Sequence, residues 1–441
     1  MPIPSLPEDL ATAILAGEAT VDGVAGRLSR TLGREWKWIR PFARRYVDAF
    51  SNRIRPRHQE VVHALLDDQS FSRAWQTYPR KMSVDQWLSE PQRMQPVPTA
   101  QDWNVLAIES IGELAAWLRL APGDLEWFAD LHGLGYRGQT SPALSHYHYR
   151  LVVKPSGRVR LIEAPKLRLK HSQRAILSAI LDRIPIHSAA HGFYHGRSIK
   201  TFAAPHAGQH VVLRMDLQDF FPTISGPRIQ SLFRTMGYPE SVADRLGAIC
   251  TNLTPRGIWK TVGDGPNIPR ETRDMYARPH LPQGAPTSPA LANLCAYRVD
   301  CRLTGLAQAA GAHYTRYADD LVFSGGEEFE RRVERFVVYV AAILGEEGFA
   351  VNHHKTRIMR QGVRQHLAGL TANRHLNISR SDFDRLKAIL TNCVRFGAES
   401  QNLEKRPRFR EHLEGRVSFV EMINADKGTR LRRILARIPW S

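Results

Sequence analysis

The 441-residue chain is poor in cysteine: Cys250, Cys295, Cys301 and Cys393 are the only four, and none forms a CxxC pair. That scarcity argues against a disulfide framework and a thiolate zinc centre, and suits a reducing, cytoplasmic setting. Long apolar runs are also lacking. The longest, Phe336 to Leu344, is nine residues, far short of the ~20 needed to cross a bilayer. The first residues, MPIPSLPEDLATAI, have no basic region ahead of an apolar stretch, so neither a secretory signal nor a membrane partner is expected. There is no internal repeat. Acidic residues are in deficit: 43 Asp and Glu face 61 Lys and Arg, for a formal charge of +18. What is abundant is apolar material, 43% of the chain, which excludes wholesale disorder and, at this length, predicts two or three domains.

The charge is unevenly spread. Residues 151–200 hold ten Lys and Arg against two acids, and residues 376–441 hold fourteen against eight. Two basic blocks around a near-neutral middle predict a clamp on a phosphate backbone. Residues 1–88 carry apolar positions at helical spacing, and EPQRMQPVPTAQD reads as a linker. From His146 the period changes. HYHYRLVVKPSGRVRLIEAPK predicts two strands around Pro155-Ser156-Gly157, VVLRMDLQDFF a strand, YTRYADDLVFSG a hairpin, and FERRVERFVVYVAAILGEEG a helix. Residues 252–280 show no period and are expected to be a loop or insertion. Strands and helices in this order predict an α+β domain with helices packed on a sheet.

The informative residues are acids. Asp216 ends the apolar run Val211-Val212-Leu213-Arg214-Met215, where a charge is costly unless paired with a cation. About a hundred residues later, Ala318-Asp319-Asp320 sits between strand-forming flanks, in a predicted tight turn. Neighbouring acids repel, so holding Asp319 and Asp320 there with a third Asp close by builds a site for hard divalent cations. Two such ions about 3.5–4 Å apart serve phosphoryl transfer. Two further segments accompany these acids: Asp219-Phe220-Phe221-Pro222, and Leu281-Pro282-Gln283-Gly284-Ala285-Pro286, in which Gly284 lets backbone approach a ligand closely.

In this order the segments resemble the palm motifs of a reverse transcriptase. The similarity continues through Gly348-Phe349-Ala350-Val351-Asn352 to Lys355-Thr356, and to His366-Leu367-Ala368-Gly369-Leu370-Thr371 at the place of the primer-grip hairpin. Over roughly residues 105–375 the chain is similar to bacterial retron reverse transcriptases. Lys154 to Ile162, Leu169 to Gln173, His191-Gly192-Phe193 and Gly196 to Ile199 carry that likeness. The retron signature Asn-Ala-x-x-His reads Phe202-Ala203-Ala204-Pro205-His206 here, and Val-Thr-Gly reads Leu367-Ala368-Gly369.

The resemblance implies a right-hand polymerase with an antiparallel palm sheet: a helical extension over 1–100, fingers and palm over 101–375, and a basic helical thumb over 376–441. It implies Asp216, Asp319 and Asp320 as catalytic, metal-holding carboxylates for two Mg²⁺ ions, with Mn²⁺ a substitute. Phe221 falls at the aromatic gate that rejects a ribonucleotide 2′-OH. Lys154, Arg158, Arg160, Gln283, Gly284 and Lys355 are expected at the nucleotide, and His206, Gly369, Arg406, Arg408 and Arg410 at RNA and primer. The implied partners are dNTPs, a structured noncoding RNA serving as template and primer, its cDNA (a branched RNA–DNA, msDNA), and a separate effector chain in antiphage defence. Three other readings are weighed: a non-retron defence polymerase using another template or none, a group II intron maturase, and a non-catalytic RNA-binding protein. A maturase would continue into a longer region, and a mere binder need not keep three palm aspartates. His187, His191 and His195 recur every fourth residue, but Gly192 interrupts any helix, so a zinc site is not expected. Trp36 and Trp38 are read as core.

Overall fold

Strand Val211–Gln218 (β3) is buried along nearly its whole length, which is why it reads as an uninterrupted apolar run: a central strand covered on both faces shows no alternation. In a computed structural model, which describes residues 6–440 except 52–55, 90–92, 132, 134–144, 154–158 and 263–267, β3 is the centre of a five-stranded antiparallel sheet. Tyr147–Val153 (β1) and Val159–Pro165 (β2) form a separate hairpin in register from Tyr147↔Pro165 to Val153↔Val159. The loop between them lies outside the described residues. On one side, β3 pairs with Asp320–Gly325 (β5), which pairs in turn with Ala312–Tyr317 (β4). On the other side it pairs first with Arg357–Arg360 (β7) and then with Ala350–Val351 (β6).

The register sorts side chains onto two faces. Leu213, Met215, Tyr314, Arg316, Leu321 and Phe323 point one way, toward helices Tyr297–Ala309 and Glu327–Glu346. The latter buries Phe329, Val333, Phe336, Val340 and Leu344, one stripe at helical spacing, with Phe336 edge-on to Phe323 at 5.0 Å between ring centres. Val212, Val322 and Tyr317 point the other way, into a second core. That core continues through Leu367 and Leu370 into helices Arg380–Phe396, Phe409–Ile423 and Ala425–Leu435. The tight turn joining His366–Leu367 (β8) to Leu370–Thr371 (β9) has positive φ at Ala368 and Gly369, the two-residue hairpin geometry in which glycine is favoured.

The chain comprises two compact units, 1–132 with 230–248, and 133–229 with 249–441. In the first, helices Leu6–Leu15, Val21–Thr31, Ile39–Phe50, His58–Asp67 and Gln69–Thr77 enclose Leu10, Ile14, Leu28, Trp38, Phe42 and Phe71. Trp38 lies in that core and Trp36 packs against it, as the sequence reading had them. Buried Arg27 donates to the Ala13 and Ile14 carbonyls at 2.9 and 2.8 Å, which satisfies a helix end that would otherwise be orphaned. The segment 252–280 is not plain loop. It contains a 3₁₀ turn, Arg256–Val262, and a helix, Arg270–Tyr276, of which only Tyr276 is buried. A helix burying one residue leaves no apolar period to find in the sequence. No helix among the described residues is long and apolar enough to cross a membrane.

Candidate active site

Asp216 occupies the buried end of β3, and the β4–β5 turn brings Asp319 beside it. Tyr317 and Asp320 are the closing pair of that turn, so Ala318 and Asp319 are its two central residues. Ala318 has φ +55 and Asp319 is not among the positive-φ residues, a pattern of type II′, where glycine would be the easier residue. The turn is held from below. Arg316, fully buried, donates from Nε and Nη2 to the Asp300 carboxylate at 2.8 and 2.6 Å, and from Nη1 to Asn293 Oδ1 at 3.0 Å and the Ala318 carbonyl at 3.2 Å. Burial pulls this guanidinium down, but the charge and hydrogen bonds of Asp300, together with Tyr314, outweigh it and the net shift is upward. Asn293 Nδ2 donates to the Gly192 carbonyl at 2.8 Å. A Cβ on Gly192 would lie 2.8 Å from the Ala318 nitrogen, so only glycine lets this strand of chain lie flat against the turn.

The three acids have different surroundings. Asp216 Oδ2 accepts from Lys355 Nζ at 2.7 Å and Oδ1 from Asn352 Nδ2 at 3.1 Å. This is the cation a buried carboxylate requires. Asp319 is pushed above the usual carboxylate range, first by burial and then by the negative charges of Asp216 and Asp320, with Lys355 opposing. Asp320 is clasped by Arg214, whose Nε and Nη2 both donate to it at 2.8–3.0 Å.

Asp216 and Asp319 line one pocket together with Arg160, Asp219, Phe221, Gln283 and Lys355; Asp320 does not. The far wall is Ile268 and Pro269 with Glu271, Thr272 and Tyr276, the last three on the short helix Arg270–Tyr276 that lies where a loop is expected. Gly284, beside Gln283, has φ +138, and a Cβ there would sit 2.8 Å from the Glu163 carbonyl oxygen. The Glu163 amide donates to the Gln283 carbonyl at 2.9 Å. Its carboxylate, fully buried, takes hydrogen bonds from Asn252 Nδ2 and Thr254 Oγ1 at 2.7 and 2.6 Å and meets His280 Nε2 at 3.0 Å. This network fixes the Gln283–Gly284 loop to the β1–β2 hairpin.

The donor set of the pocket is carboxylate oxygen, which suits a hard cation. Of the three expected metal carboxylates, Asp216 and Asp319 share the pocket and Asp320 is engaged by Arg214; among the described residues no three His, Cys, Asp or Glu side chains gather about one point. Two carboxylates fit Mg²⁺, which completes its shell with water and substrate phosphate. Burial and the neighbouring Asp216 and Asp320 charges make an ionised Asp319 costly in the absence of a cation.

Other expected site residues lie elsewhere. His206 is a correction: it is fully buried and does not reach a surface where RNA could touch it. The Thr315 hydroxyl donates to the Phe202 carbonyl at 2.9 Å, so it must accept from His206 Nε2–H at 2.7 Å, leaving Nδ1 to accept from Ser324 Oγ at 2.7 Å. Both ring nitrogens are satisfied by a neutral imidazole that ties β4 and β5 to the preceding chain, and burial pushes its pKa down to about 3. Gly369 is in the β8–β9 turn. Arg406 and Arg410 are exposed and pair with Glu404 and Glu414, and Arg408 is exposed beside them. Lys154 and Arg158 lie outside the described residues. His187, His191 and His195 lie in the irregular stretch ahead of helix Ile199–Ala203 and share no helical face.

The family profile described as reverse transcriptase (RNA-dependent DNA polymerase) matches residues 152–380. Retron Mx65 reverse transcriptase of Myxococcus xanthus is 42% identical over 293 residues, 65% of this chain and 64% of that one. Retron Mx162 reverse transcriptase of the same organism is 35% identical over 347 residues, covering 75% and 67%. Retron Ec86 reverse transcriptase of Escherichia coli is 29% identical over 285 residues, covering 64% and 78%. The chain thus spans about two thirds of the length of the two Myxococcus relatives. A solved foamy viral protease-reverse transcriptase in complex with RNA/DNA hybrid aligns over 69% of this chain and 32% of that one, at TM-score 0.34 and 15% identity.

Proposed function

The chain belongs to the reverse transcriptase family, and on that premise we propose that it is an RNA-directed DNA polymerase of retron type. It copies part of a structured noncoding RNA, which serves as both template and primer. The observation that carries this reading is the convergence of Asp216 and Asp319, from distant strands, on one pocket with Phe221, Gln283, Arg160 and Lys355.

Two Mg²⁺ ions, for which Mn²⁺ can substitute, supply stabilisation of the attacking and leaving oxygens when bound. Asp216 and Asp319 would hold them. Asp320 stays on Arg214 and fixes the turn that carries Asp319. Arg160 faces the triphosphate. Phe221 closes the space a 2′-OH would need, so dNTPs are selected. Lys355, now on Asp216, is placed to meet the negative charge of the departing pyrophosphate. Residues 101–375 act as fingers and palm. Residues 376–441 act as the thumb, with Arg406, Arg408, Arg410 and the Gly369 hairpin along the duplex backbone. The product is a branched RNA–DNA, and the setting is cytoplasmic antiphage defence with a separate effector chain.

The test is to purify the chain from its host and sequence the nucleic acid covalently bound to or retained by it. A branched RNA–DNA copied from one RNA is expected. DNA of random sequence, or DNA with no RNA template, would contradict the retron reading.

A further inference from the structure

Phe193 is the residue of the His191-Gly192-Phe193 segment to which the roles above give no task. It has φ +60, a strained conformation that bulky side chains avoid. The surrounding structure enforces it. The His191 amide donates to the Arg316 carbonyl at 2.7 Å, the Gly192 carbonyl accepts from Asn293, and Gly192 is wedged against the backbone of the catalytic turn. The reward is not burial, because the ring remains 50% exposed. It projects instead into the pocket that holds Asp216 and Asp319, with its centre 6.4 Å from that of Phe221 and 6.2 Å from that of Tyr317. Strain spent on holding an apolar ring out among charged groups calls for an apolar partner that arrives later.

We infer that Phe193 is a second apolar wall of the nucleotide site, contacting the sugar of the incoming dNTP beside Phe221 and contributing to its affinity. The inference rests on the polymerase reading, since it takes Phe221 as the sugar-facing gate. The ring belongs with the nucleotide more than with the primer end because its neighbour is that gate and the same pocket contains Arg160 and Gln283. Contact with the sugar present equally in ground and transition states predicts a change in KM with kcat preserved.

The test separates ring from fold by using a residue that prefers the strained backbone. Asparagine tolerates positive φ, so Phe193→Asn removes the ring and relieves strain together. Its melting temperature should equal or exceed that of the wild type, while KM for dNTP rises about tenfold, or ~1.4 kcal/mol, with kcat within about twofold. Phe193→Trp should keep KM near the wild-type value. An unchanged dNTP KM in a folded Phe193→Asn chain overturns the inference, as does a rise in primer KM alone. A melting temperature that falls in step with activity also overturns it, since the ring would then be core packing. Titration of the full chain with a fluorescent dATP analogue in Mg²⁺ keeps this separate from the polymerase reading. If the wild type fails to polymerise yet binds the analogue, weaker binding by Phe193→Asn supports the inference and equal binding overturns it. No saturable binding by the wild type overturns both.

Discussion

Arg214 clasps Asp320 with two guanidinium nitrogens at 2.8–3.0 Å, and this separates two adjacent aspartates that a sequence presents as equals. Asp319 faces the pocket; Asp320 faces a cation already in place. Asp319→Asn and Asp216→Asn should therefore lower DNA synthesis by about 10³-fold or more, the loss of ~4 kcal/mol of transition-state stabilisation. Asp320→Asn should cost only about tenfold, through a looser turn. Single-turnover rates at saturating nucleotide measure the difference, and equal losses at all three positions would return Asp320 to the metal.

Asp319 is an uncomfortable carboxylate when no cation is bound. Its folded pKa lies above the ordinary 3.8, by burial and then by Asp216 and Asp320. The folded state therefore holds the proton more tightly than the unfolded one, and stability declines as pH rises from 3.8 through the raised value. At neutral pH the metal-free Asp319→Asn chain should melt above the wild type. Added Mg²⁺ should stabilise the wild type more than the variant. Melting curves with and without Mg²⁺ test both, and an equal Mg²⁺ response would speak against the assignment.

His206 gives the opposite pH dependence. Its folded pKa, about 3, lies below the usual 6.5, because burial disfavours the imidazolium. The unfolded chain takes up that proton first, so the contribution to stability is complete above pH 6.5 and is lost as pH falls toward 3. His191, lowered to about 4 by burial and Arg197, acts over much of the same range. The urea midpoint should drop between pH 7.5 and pH 5. His206→Ala should lessen that drop while costing about 1–3 kcal/mol at pH 7.5, since it takes the acceptor from the Ser324 hydroxyl and one of two partners from the Thr315 hydroxyl.

Gly284→Ala should fail for a reason visible in two atoms. The new Cβ would meet the Glu163 carbonyl at 2.8 Å, at φ +138, a backbone region close to glycine-only. A cost of about 1–3 kcal/mol is expected, with a raised dNTP KM as the Gln283 loop moves off β2. Unchanged stability and KM would show that the loop relaxes freely.

What the sequence disclosed and what it hid divide along physical lines. β3, the Ala318-Asp319 turn, the Gly284 loop and the 327–346 helix were readable because each is written in local pattern: an apolar run, flanking strand formers, a Pro-Gly segment, a helical stripe. Arg316 with Asp300, Glu163 with His280, and Arg214 with Asp320 were not. Each member is a single charged residue with no periodic signature, and its partner lies 16, 117 or 106 positions away. Only the folded register makes them neighbours. His206 misled for a related reason. A histidine in a family signature suggests contact with RNA, yet Thr315 and Ser324 from two strands enclose it. The 270–276 helix escaped because its residues are nearly all polar and its one buried side chain sets no period.

Asp319, the pocket-facing carboxylate, is the residue on which the proposed RNA-directed DNA synthesis turns. The direct measurement is primer extension by the full chain with its native RNA, dNTPs and Mg²⁺, comparing the wild type with Asp319→Ala. Labelled DNA from the wild type, dependent on the RNA, and none above background from the folded variant are predicted. An inactive wild type under these conditions, or an Asp319→Ala chain as active as the wild type, would contradict it.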